Sequence, residues 1–522
     1  ARSVLDRLGR AIAALSDRCY DLLQDKAAAL GTAFYAEEWM MNMFSEEVVR
    51  GRLSFILSLL VHHLEPILRE SAQLGDWQVI SRGQAAGVIE VVDSLSSIQG
   101  RSFETPTIVI AEKVRGDEEP VKGLKAVITP DLVDLVAHVS IRARNSQLLF
   151  ATCYNRQQFD HLKSMKGQRL RMKVSPSGDV LIETFEGELS VDAHYMNTGL
   201  KAMPRPPFKD YAITAREFSE ERVGGKSLNL VHLGAKLPDW IRVPASAAIP
   251  FGVFEEVLGL DMNRSVAKRC SELLAGMGKS PETTLSEIRK GLLDLEAPGE
   301  LVSSLRIVLE DSGLAWPDNW PEAWMCIKRV WASKWNERAY VSRSVRGIPH
   351  EGLFMAVLIQ QVVKAKYAFV IHTTNPFTSD ANELYAELVP GLGETLVGNY
   401  PGRALGFTSS KADPEPRLMS YPSKSTALSG GGLIFRSDSN GEDLAGYAGA
   451  GLYDSVMLDP PREVHLNYAD EKILWDRDFR KHLLTSIVKI GTELEKAMGS
   501  PQDIEGAYAD EKLYVVQTRP QV

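Results

Sequence analysis

Hydrophobic residues follow a helical spacing over residues 1–76 of the chain. Apolar side chains recur there every three or four residues, in runs such as VLDRLGRAIAAL and LSFILSLLVHHL, and Gly and Pro are sparse. This spacing matches the period of an α-helix with one apolar face. We therefore predict a helical segment of about three helices in this part of the chain.

The pattern changes to short β-rich runs over residues 77–190. The runs WQVI, GVIEVV, TIVIAEKV, LKAVIT and LLFATC are separated by Gly, Pro and charged residues, as is typical of strands joined by turns. RMKVSPSGDVLIETF adds a hairpin with its turn at SPSGD. The helical pattern here comes from DLVDLVAH and the residues after it. We therefore predict a compact β/α domain that presents His138 at a junction between a loop and a helix.

A proline-rich stretch and a long α/β region complete the chain. Residues 191–212 contain MPRPPFKDY and predict a semi-rigid linker. Within residues 213–522 a helical pattern covers 256–340, and strand-like runs follow in FMAVLIQQVV, YAFVIHTTNP, ELYAELVPGLGE, GGLIFRSDSN and KLYVVQTRP. The predicted fold class is therefore α/β and multidomain, with a helical segment, a β/α domain, a linker and a large α/β domain.

Composition and charge exclude several classes of protein. The apolar fraction is 44% and the charged fraction 24%, as in a soluble globular protein, and no apolar run is long enough to cross a bilayer. A net charge of −9 and a pI near 5.7 argue against a nucleic-acid surface. The four cysteines lack metal-binding spacing, which favours reduced thiols. The first residues do not form a secretory signal, and we expect the chain to be the C-terminal part of a longer polypeptide.

The stretch TPDLVDLVAHVSIRARN suits a phosphorylated histidine. His138 follows an apolar run and stands where a helix is predicted to begin. The hydrogen-bond donors that follow it are Ser140, Arg142, Arg144 and Asn145. Backbone N–H groups at a helix start and arginine side chains both bind phosphate. The alternative is a buried structural histidine beside a solvated pair of arginines.

Two further motifs suit phosphate binding. The turn Gly224-Gly225-Lys226 opens a predicted helix, so that its backbone N–H groups and the lysine could reach a polyphosphate, although the Walker spacing is missing. In FRSDSNGEDLAGYAGAGLYDS, Arg436 follows a strand and precedes a glycine-rich turn that could cover a polyphosphate. The alternatives are a common glycine turn and a surface loop of mixed charge.

Two C-terminal runs, QDIEG and VVQTRP, are predicted to be adjacent strands. Asp503 and Glu505 share one face of the first, and Gln517 and Arg519 share one face of the second. Oxygen atoms of Glu505 and Gln517 are the hard ligands that Mg²⁺ prefers. Arg519 would neutralise charge on a transferred phosphoryl group. The alternative is an edge hairpin with a salt bridge.

These motifs together resemble the dikinase family, which includes pyruvate phosphate dikinase, phosphoenolpyruvate synthase and the α-glucan, water dikinases. The glucan enzymes are the most similar branch. The resemblance extends over essentially the whole chain. It is carried by WQVIS, EKVRGDEEP, VITPDLVDLVAHVSIRARN, VWASKWNERAY, YAFVIHTTNP, GLGETLVGNYPGRAL, IFRSDSNGEDLAGYAGAGLYDSV, QDIEG and LYVVQTRPQV.

The resemblance implies a role for each candidate residue. His138 would be phosphorylated by ATP, and residues 213–522 would form an ATP-grasp-like domain. The residues implied to bind nucleotide, phosphates or Mg²⁺ are Lys226, Gln360, Arg436, Glu505 and Gln517. Of these, Glu505 and Gln517 would be the metal ligands. Arg519 would be catalytic together with His138.

The implied reaction converts ATP, α-glucan and water into phosphoglucan, AMP and phosphate. The β-phosphate would pass through the histidine to a glucosyl hydroxyl of starch or amylopectin, and the HVSIRARN motif favours the C6 hydroxyl. The resemblance places the enzyme in the plastid stroma at starch granules. Oligomeric state cannot be read from the sequence.

The chain departs from its relatives in informative ways. The pyruvate-using dikinases place the nucleotide domain first and add a pyruvate barrel, whereas the order here is reversed and no barrel is visible. Starch-binding modules are not visible either. Some plant members carry a CFATC pair that forms a regulatory disulfide, but here Leu149 takes the first position and leaves Cys153 without that partner. Two alternatives stay open: a dikinase with a small-molecule acceptor, and a catalytically silent glucan-associated scaffold.

Overall fold

The fold is described from a computed structural model of the chain. The described residues are 2–37, 40–41, 44, 48, 52–71, 76–81, 83–115, 118–131, 133, 138–146, 148–174, 180–185, 187, 205–277, 281–345, 352–378, 380–398, 400–442 and 452–521.

Two helices precede the first sheet in the described part of the chain. Helix α1 spans Arg2–Ala33 and helix α2 spans Leu53–Ser71. The first turns of α1 reach the C-terminal region. There the Arg7 guanidinium donates to the backbone carbonyl of Leu466 at 2.9 Å, and the Ser423 hydroxyl donates to Asp6 at 3.0 Å.

A mixed seven-stranded sheet contains the strands predicted between residues 77 and 190, in the order β1-β5-β4-β3-β2-β6-β7. Its elements are β1 Trp77–Ser81, β2 Gln84–Ser94, β3 Thr107–Lys113, β4 Leu124–Thr129, helix α3 His138–Asn145, β5 Leu149–Cys153, helix α4 Arg156–Ser164, β6 Arg169–Val174 and β7 Val180–Thr184. Strands β2 to β5 are parallel neighbours in space, and apolar side chains cover both of their faces, as in Val109 and Ile110. The predicted strands are therefore confirmed. The strands flanking SPSGD pair antiparallel, while residues 175–179 of the turn lie outside the described part.

Helix α3 spans His138–Asn145 in the described part of the chain, as the predicted helix after the apolar run requires, whereas the predicted junction between a loop and this helix stays a prediction. The helical pattern of DLVDLVAH is only partly testable, because residues 132 and 134–137 lie outside the described part, but Asp131 and Val133 are not helical. The apolar side of α3 packs Val139 and Ala143 into the core of this sheet. The side chain of His138 also lies outside what the structure describes.

The region from residue 213 onwards contains a five-stranded sheet, a second seven-stranded sheet, a two-stranded sheet and a layer of helices. Its helices are α5 Gly225–Lys236, α6 Val253–Gly259, α7 Arg264–Ala275, α8 Pro281–Leu292, α9 Gly299–Asp311, α10 Trp320–Ala332, α11 Glu337–Val345, α12 Glu394–Val397, α13 Lys472–Trp475 and α14 Arg477–Met498. Its strands are β8 Ile213–Thr214, β9 Ile241–Arg242, β10 Ser246–Ile249, β11 Met355–Gln361, β12 Tyr367–His372, β13 Glu383–Pro390, β14 Leu405–Ser410, β15 Arg417–Ser420, β16 Thr426–Ser429, β17 Leu433–Ser439, β18 Ser455–Met457, β19 Arg462–His465, β20 Gln502–Ala509 and β21 Lys512–Pro520. The helical pattern over 256–340 and the strand-like runs after it are confirmed.

The five-stranded sheet and the second seven-stranded sheet each have their own hydrophobic core. The five-stranded sheet, in the order β18-β17-β11-β10-β8, packs against the helices between residues 253 and 345. Trp324, Trp331 and Trp335 are only 6%, 1% and 4% exposed in that core, so these tryptophans pack rather than offer a sugar-binding face. The seven-stranded sheet, in the order β15-β14-β13-β12-β20-β21-β9, packs against α14. A separate two-stranded sheet pairs β16 with β19.

The two C-terminal strands pair as predicted, but the first of them is not at an edge. Strand β20 lies between β12 and β21, and its Asp503 and Glu505 stand opposite Arg519 and Gln517. This placement excludes an edge hairpin for QDIEG. Glu505 and Gln517 both line the space between the five-stranded sheet and the seven-stranded sheet that contains β20 and β21.

Candidate functional site

A cleft of about 930 Å³ lies between the five-stranded sheet and the seven-stranded sheet that contains β12, β20 and β21. The five residues predicted to bind nucleotide, phosphate or metal all line it, and so does Arg519, which was predicted to be catalytic. They are Lys226 of α5, Gln360 of β11, Arg436 of β17, Glu505 of β20, and Gln517 and Arg519 of β21. Residues that are up to 293 positions apart in the sequence, from Lys226 to Arg519, therefore converge on one cavity.

Arg436 is the centre of the hydrogen-bond network in this cleft. Its Nη1 donates to Gln360 Oε1 at 3.2 Å and to the backbone carbonyl of Val516 at 3.3 Å. Its Nη2 donates to Gln517 Oε1 and lies 3.8 Å from Glu505 Oε2. Its buried Nε finds no hydrogen-bond partner among the described residues. A guanidinium held from several sides presents a fixed positive charge to whatever occupies the cleft.

The glycine turn before Lys226 is built differently from the sequence prediction. The backbone amides of Gly224 and Lys226 donate to the two carboxylate oxygens of Asp438, each at 3.0 Å. Asp438 thus occupies the positive end of helix α5, so the prediction that these amides cradle phosphate is wrong. Gly224 is required here, because a Cβ atom would come within 2.5 Å of Asp438 Oδ1.

The Lys226 side chain, in contrast, does reach the cleft. Its Nζ pairs with Glu442 Oε1 at 2.5 Å, and only 10% of the side chain is exposed. Glu442 also accepts from the backbone amide of Ser439 at 3.1 Å, which fixes the carboxylate beside the lysine. The glycine-rich turn predicted to cover a polyphosphate falls on residues 443–451, outside the described part of the chain.

Two carboxylates, Glu394 and Glu505, line the cleft and repel each other. Glu394 begins α12, directly after the Gly-Leu-Gly run, and its side chain is open to the cleft. The pKa of Glu394 is raised to about 7. Desolvation by burial is the largest cause and the negative charge of Glu505 adds to it, whereas Arg436 acts in the opposite direction. A pair of carboxylates that repel each other in this way is a suitable site for a divalent cation.

A row of polar residues continues from the cleft into the seven-stranded sheet. Arg519 Nε lies 3.5 Å from Asp503 Oδ2, and both side chains are 8% exposed. The other oxygen of Asp503 bonds to Nδ1 of His372. Burial alone would raise the pKa of Asp503. The interaction with His372, aided by the charges of Arg519 and Arg144, outweighs burial and lowers that pKa to about 2.

Helix α3 brings its two arginines into different surroundings. Arg142 is buried within its own sheet region, where Nε lies 3.0 Å from Glu119 Oε1 and Nη1 donates to the carbonyl of Glu118 at 3.1 Å. It therefore supports the fold around the helix. The guanidinium of Arg144 instead feels the charges of Asp503 and Glu387 on the seven-stranded sheet, although burial lowers its pKa overall. The helix that begins at His138 is therefore docked beside the cleft.

Several cleft residues were missed by the sequence reasoning. They are Arg115, Arg329, Arg338, Glu394 and Glu442. Arg338 stands in the VWASKWNERAY stretch, and its Nη2 lies 2.5 Å from Asp454 Oδ1. Arg115 follows β3, so the sheet that carries α3 also contributes to the wall of the cleft. The GLGE and NERAY runs were visible in the sequence, but nothing in their spacing indicated that they meet.

The fold and the cleft define a class of protein that joins a phosphohistidine-type domain to a nucleotide-binding domain, and sequence profiles agree. Residues 76–190 match the profile described as "Alpha-glucan water dikinase, phosphohistidine-like domain". Residues 316–402 match the profile described as "Pyruvate phosphate dikinase, AMP/ATP-binding domain".

Similar curated proteins narrow this class to one family. The chain is 46% identical over its whole length to "Alpha-glucan water dikinase, chloroplastic" of Citrus reticulata and to the protein of that name in Solanum tuberosum, and 44% identical to "Alpha-glucan water dikinase 1, chloroplastic" of Arabidopsis thaliana. Over its whole length the chain is therefore similar to members of the α-glucan water dikinase family. The chain spans 36% of the length of the first two relatives and 38% of the third. No helix among the described residues is long and apolar enough to cross a membrane.

Proposed function

We propose that this chain is the phosphotransfer part of a dikinase that moves the β-phosphate of ATP through His138 to a glucosyl hydroxyl of α-glucan. The observation that carries the proposal is the convergence of Lys226, Gln360, Arg436, Glu505, Gln517 and Arg519 on one cleft beside the helix that begins at His138. A cleft with fixed cations suits a polyphosphate, and a histidine helix docked at its edge suits an acceptor of one of its phosphoryl groups.

The chemistry divides into two transfers. In the first, a neutral imidazole nitrogen of His138 attacks the β-phosphorus of ATP, the bond to the α-phosphate breaks, and AMP leaves. The γ-phosphate is then transferred to water, which leaves the β-phosphoryl group on the histidine. In the second transfer a glucosyl hydroxyl attacks that phosphorus, the N–P bond breaks and the hydroxyl proton is lost. In-line positioning and charge stabilisation govern both transfers.

The residues of the cleft fit the roles that phosphoryl transfer requires. Lys226, Arg436 and Arg519 bring three cationic side chains, and Gln360 holds Arg436 in place. We infer that Arg519 stabilises the phosphoryl group in transfer, because it lines the cleft and its charge also acts on Arg144 of helix α3.

The donor set also fits Mg²⁺. Glu505 and Gln517 offer oxygen atoms side by side on β20 and β21. Glu394 adds a second carboxylate, whose pKa is raised by burial and then by the negative charge of Glu505. We propose Glu505 and Gln517 as metal ligands, with Glu394 beside them. The ion would neutralise phosphate charge when bound.

We further propose a division into a helical segment at 1–76, a phosphohistidine domain at 77–190, a linker at 191–212 and an ATP-grasp-like nucleotide domain at 213–522. The linker would let the phosphohistidine domain swing between the cleft and a glucan, because one histidine cannot face both at once. In the arrangement observed, Arg403 of the nucleotide region stacks over the ring of Tyr154 at 5.2 Å, which is one contact that such a motion would break.

The acceptor and the location are inferred from the relatives. The relatives named α-glucan water dikinase match the whole chain, which favours starch or amylopectin as the acceptor, and HVSIRARN favours the C6 hydroxyl. Three of these relatives are named chloroplastic, which favours the plastid stroma and starch granules. A small-molecule acceptor is less favoured, because the "Rifampicin phosphotransferase" of Bacillus subtilis is 25% identical over only 37% of the chain. A silent scaffold is disfavoured because the cleft keeps its full set of charged residues.

The proposal is tested by placing a ³²P label at a known phosphate of ATP and following where it goes. The protein is incubated with soluble α-glucan and ATP labelled with ³²P at either the β- or the γ-phosphate. We expect glucan to be labelled from β-labelled ATP only, with the γ-label appearing as inorganic phosphate. Label entering glucan from the γ-position would contradict the dikinase reaction, and label entering rifampicin but not glucan would favour the small-molecule alternative.

A further inference from the structure

Four residues form a straight row across four neighbouring strands of the seven-stranded sheet. Tyr385 of β13 stands opposite His372 of β12, His372 stands opposite Asp503 of β20, and Asp503 stands opposite Arg519 of β21. Residues that are directly opposite on paired strands share one face of the sheet. The row therefore leads from the cleft, at Arg519, to Tyr385 on the far side of His372.

Helix α3 lies against this row. Tyr385 belongs to the same apolar cluster as Val139 and Ala143 of the helix. At the other end of the helix, the charges that act on the Arg144 guanidinium come from Asp503, Glu387, Arg519 and Tyr385. The row is therefore the docking face for the helix that begins at His138.

His372 sits in the middle of the row and is almost completely enclosed. It is 2% exposed, and Nδ1 bonds to Asp503. An ionised carboxylate can only accept, so Nδ1 carries the hydrogen and donates it. The other ring nitrogen, Nε2, is buried and has no hydrogen-bond partner among the described residues. A buried unsatisfied nitrogen costs free energy, so an apolar side chain would serve simple packing better.

The hydrogen bond from His372 holds the carboxylate of Asp503 in one orientation. The carboxylate lies 3.5 Å from Arg519, and the charge of Arg144, from a different part of the chain, also acts on it. A carboxylate free to rotate could favour one arginine over the other. The hydrogen bond from Nδ1 fixes one oxygen and so fixes the direction of the second.

We propose that His372 is a positioning residue for the phosphorylation of His138. Acting through Asp503, it holds Arg519 and Arg144 in a fixed relation, so that helix α3 docks at the cleft in the geometry needed for transfer. The inference rests on the proposed function. It assigns His372 to the first transfer alone, because the docking face is used only while the helix is at the cleft.

The test compares two variants of His372 in both transfers. H372F keeps a flat ring of similar size and removes the donor, whereas H372N returns an N–H group near the position of Nδ1. Three quantities are measured on the full chain. They are the rate of His138 labelling from β-³²P ATP, the affinity for ATP by nucleotide titration, and the rate at which prelabelled protein transfers its label to soluble glucan.

We expect H372F to slow His138 labelling by about 10- to 100-fold, as a misplacement of about 1 Å can do. ATP affinity and the transfer to glucan should stay close to those of the unchanged protein, because Lys226 and Arg436 stay in place in the cleft and the second transfer takes place away from this row. H372N should recover most of the lost labelling rate. Equal slowing of both transfers, or no recovery in H372N, would show a structural role only and overturn the inference.

A second variant keeps the test decisive if H372F does not fold. R144Q changes the other side of the docking contact and leaves His372 in place. It should slow His138 labelling to a similar extent and spare the transfer of preformed label to glucan. Normal labelling in R144Q would overturn the inference. Absence of label in the unchanged protein would instead overturn the proposed function on which the inference rests, so the two failures are distinguishable.

Discussion

The carboxylate of Asp438 caps helix α5 by accepting a hydrogen bond from the backbone amide of Lys226 at 3.0 Å, while the Lys226 side chain extends into the cleft. Two strongly separated parts of the chain are thereby locked together at a position where Asp438 is fully buried. This cap orients the first turn of the helix and, with it, the lysine.

Removing the cap should lower both stability and nucleotide affinity. D438A leaves two buried amides without an acceptor, so we expect the free energy of unfolding to fall by on the order of 2–4 kcal/mol. D438N retains an acceptor oxygen and should lose less. Calorimetry of the unfolding transition and nucleotide titration provide the measurements. Unchanged stability in D438A would show that the capping contact contributes nothing.

Arg436 should be irreplaceable by lysine. Its guanidinium donates to Gln360 and Gln517 at once, which an ammonium group on a flexible stem cannot reproduce. We expect R436K to lower kcat/KM for His138 labelling by about 100-fold. The matched control is R417K on the exposed side of β15, which should keep full activity. Equal activity of the two variants would remove Arg436 from the site.

Metal binding should depend on pH through Glu394. Its pKa, raised to about 7, means that the carboxyl group is protonated below that pH and ionised above it. Because a metal ion binds the ionised form, the affinity for Mg²⁺ should rise from about pH 6 to about pH 8 and then level off. Calorimetry in buffers with different ionisation enthalpies should detect proton release near pH 7.

The E394Q variant supplies the contrast. It should bind Mg²⁺ more weakly and lose the dependence on pH over this range. E415Q changes an exposed carboxylate and should behave like the unchanged protein. The same pH profile in E394Q as in the unchanged protein would assign the titration to another group.

Fixing the phosphohistidine domain at the cleft should separate the two transfers. Arg403 and Tyr154 face each other across the two regions, so a short bismaleimide can join Y154C to R403C. We expect the crosslinked protein to label His138 from ATP and to leave glucan unlabelled. Each single variant, treated with the same reagent, should do both. Glucan labelling at the normal rate after complete crosslinking would contradict the swinging motion.

Replacing Leu149 with cysteine restores the CFATC pair that can form a disulfide in some plant members, and here that bridge should form only if strand β5 is disrupted. Leu149 and Cys153 are the first and last residues of β5, four positions apart on one extended strand. Their Cα atoms are therefore about 13 Å apart, whereas a disulfide requires less than about 7 Å. Thiol counting on L149C under mild oxidation should find no bridge unless β5 is disrupted, and L149A is the control for packing. A bridge formed with full stability would contradict the strand assignment.

Much of the fold was predictable because strand and helix periods are local properties. The runs that became β3, β4 and β5 are mostly apolar, and a strand covered on both faces favours that pattern. A helix in the stretch that contains His138 was also predictable, and the structure has one over His138–Asn145. Most of the candidate cleft residues were indicated by their own motifs, and Gln360 by the family resemblance. Their meeting in one cavity supports their assignment as a set.

What the sequence did not reveal depends on contacts between distant segments. The cap that Asp438 places on Lys226 joins residues 212 positions apart, and no periodicity reports such a pairing. The same holds for His372, whose partner Asp503 lies 131 positions away and becomes its neighbour only when β12 and β20 pair. A period of two predicts which residues share a face of a strand, but not which strand lies beside it.

The most direct test of the central claim is the site of phosphorylation. The protein and its H138A variant are incubated with β-³²P ATP, and the labelled peptide is identified after digestion under alkaline conditions that preserve phosphohistidine. We predict acid-labile label on the peptide that contains His138 and none in H138A, with ATP affinity retained in the variant. Label that persists in H138A would contradict the assignment of His138 as the phosphoryl carrier.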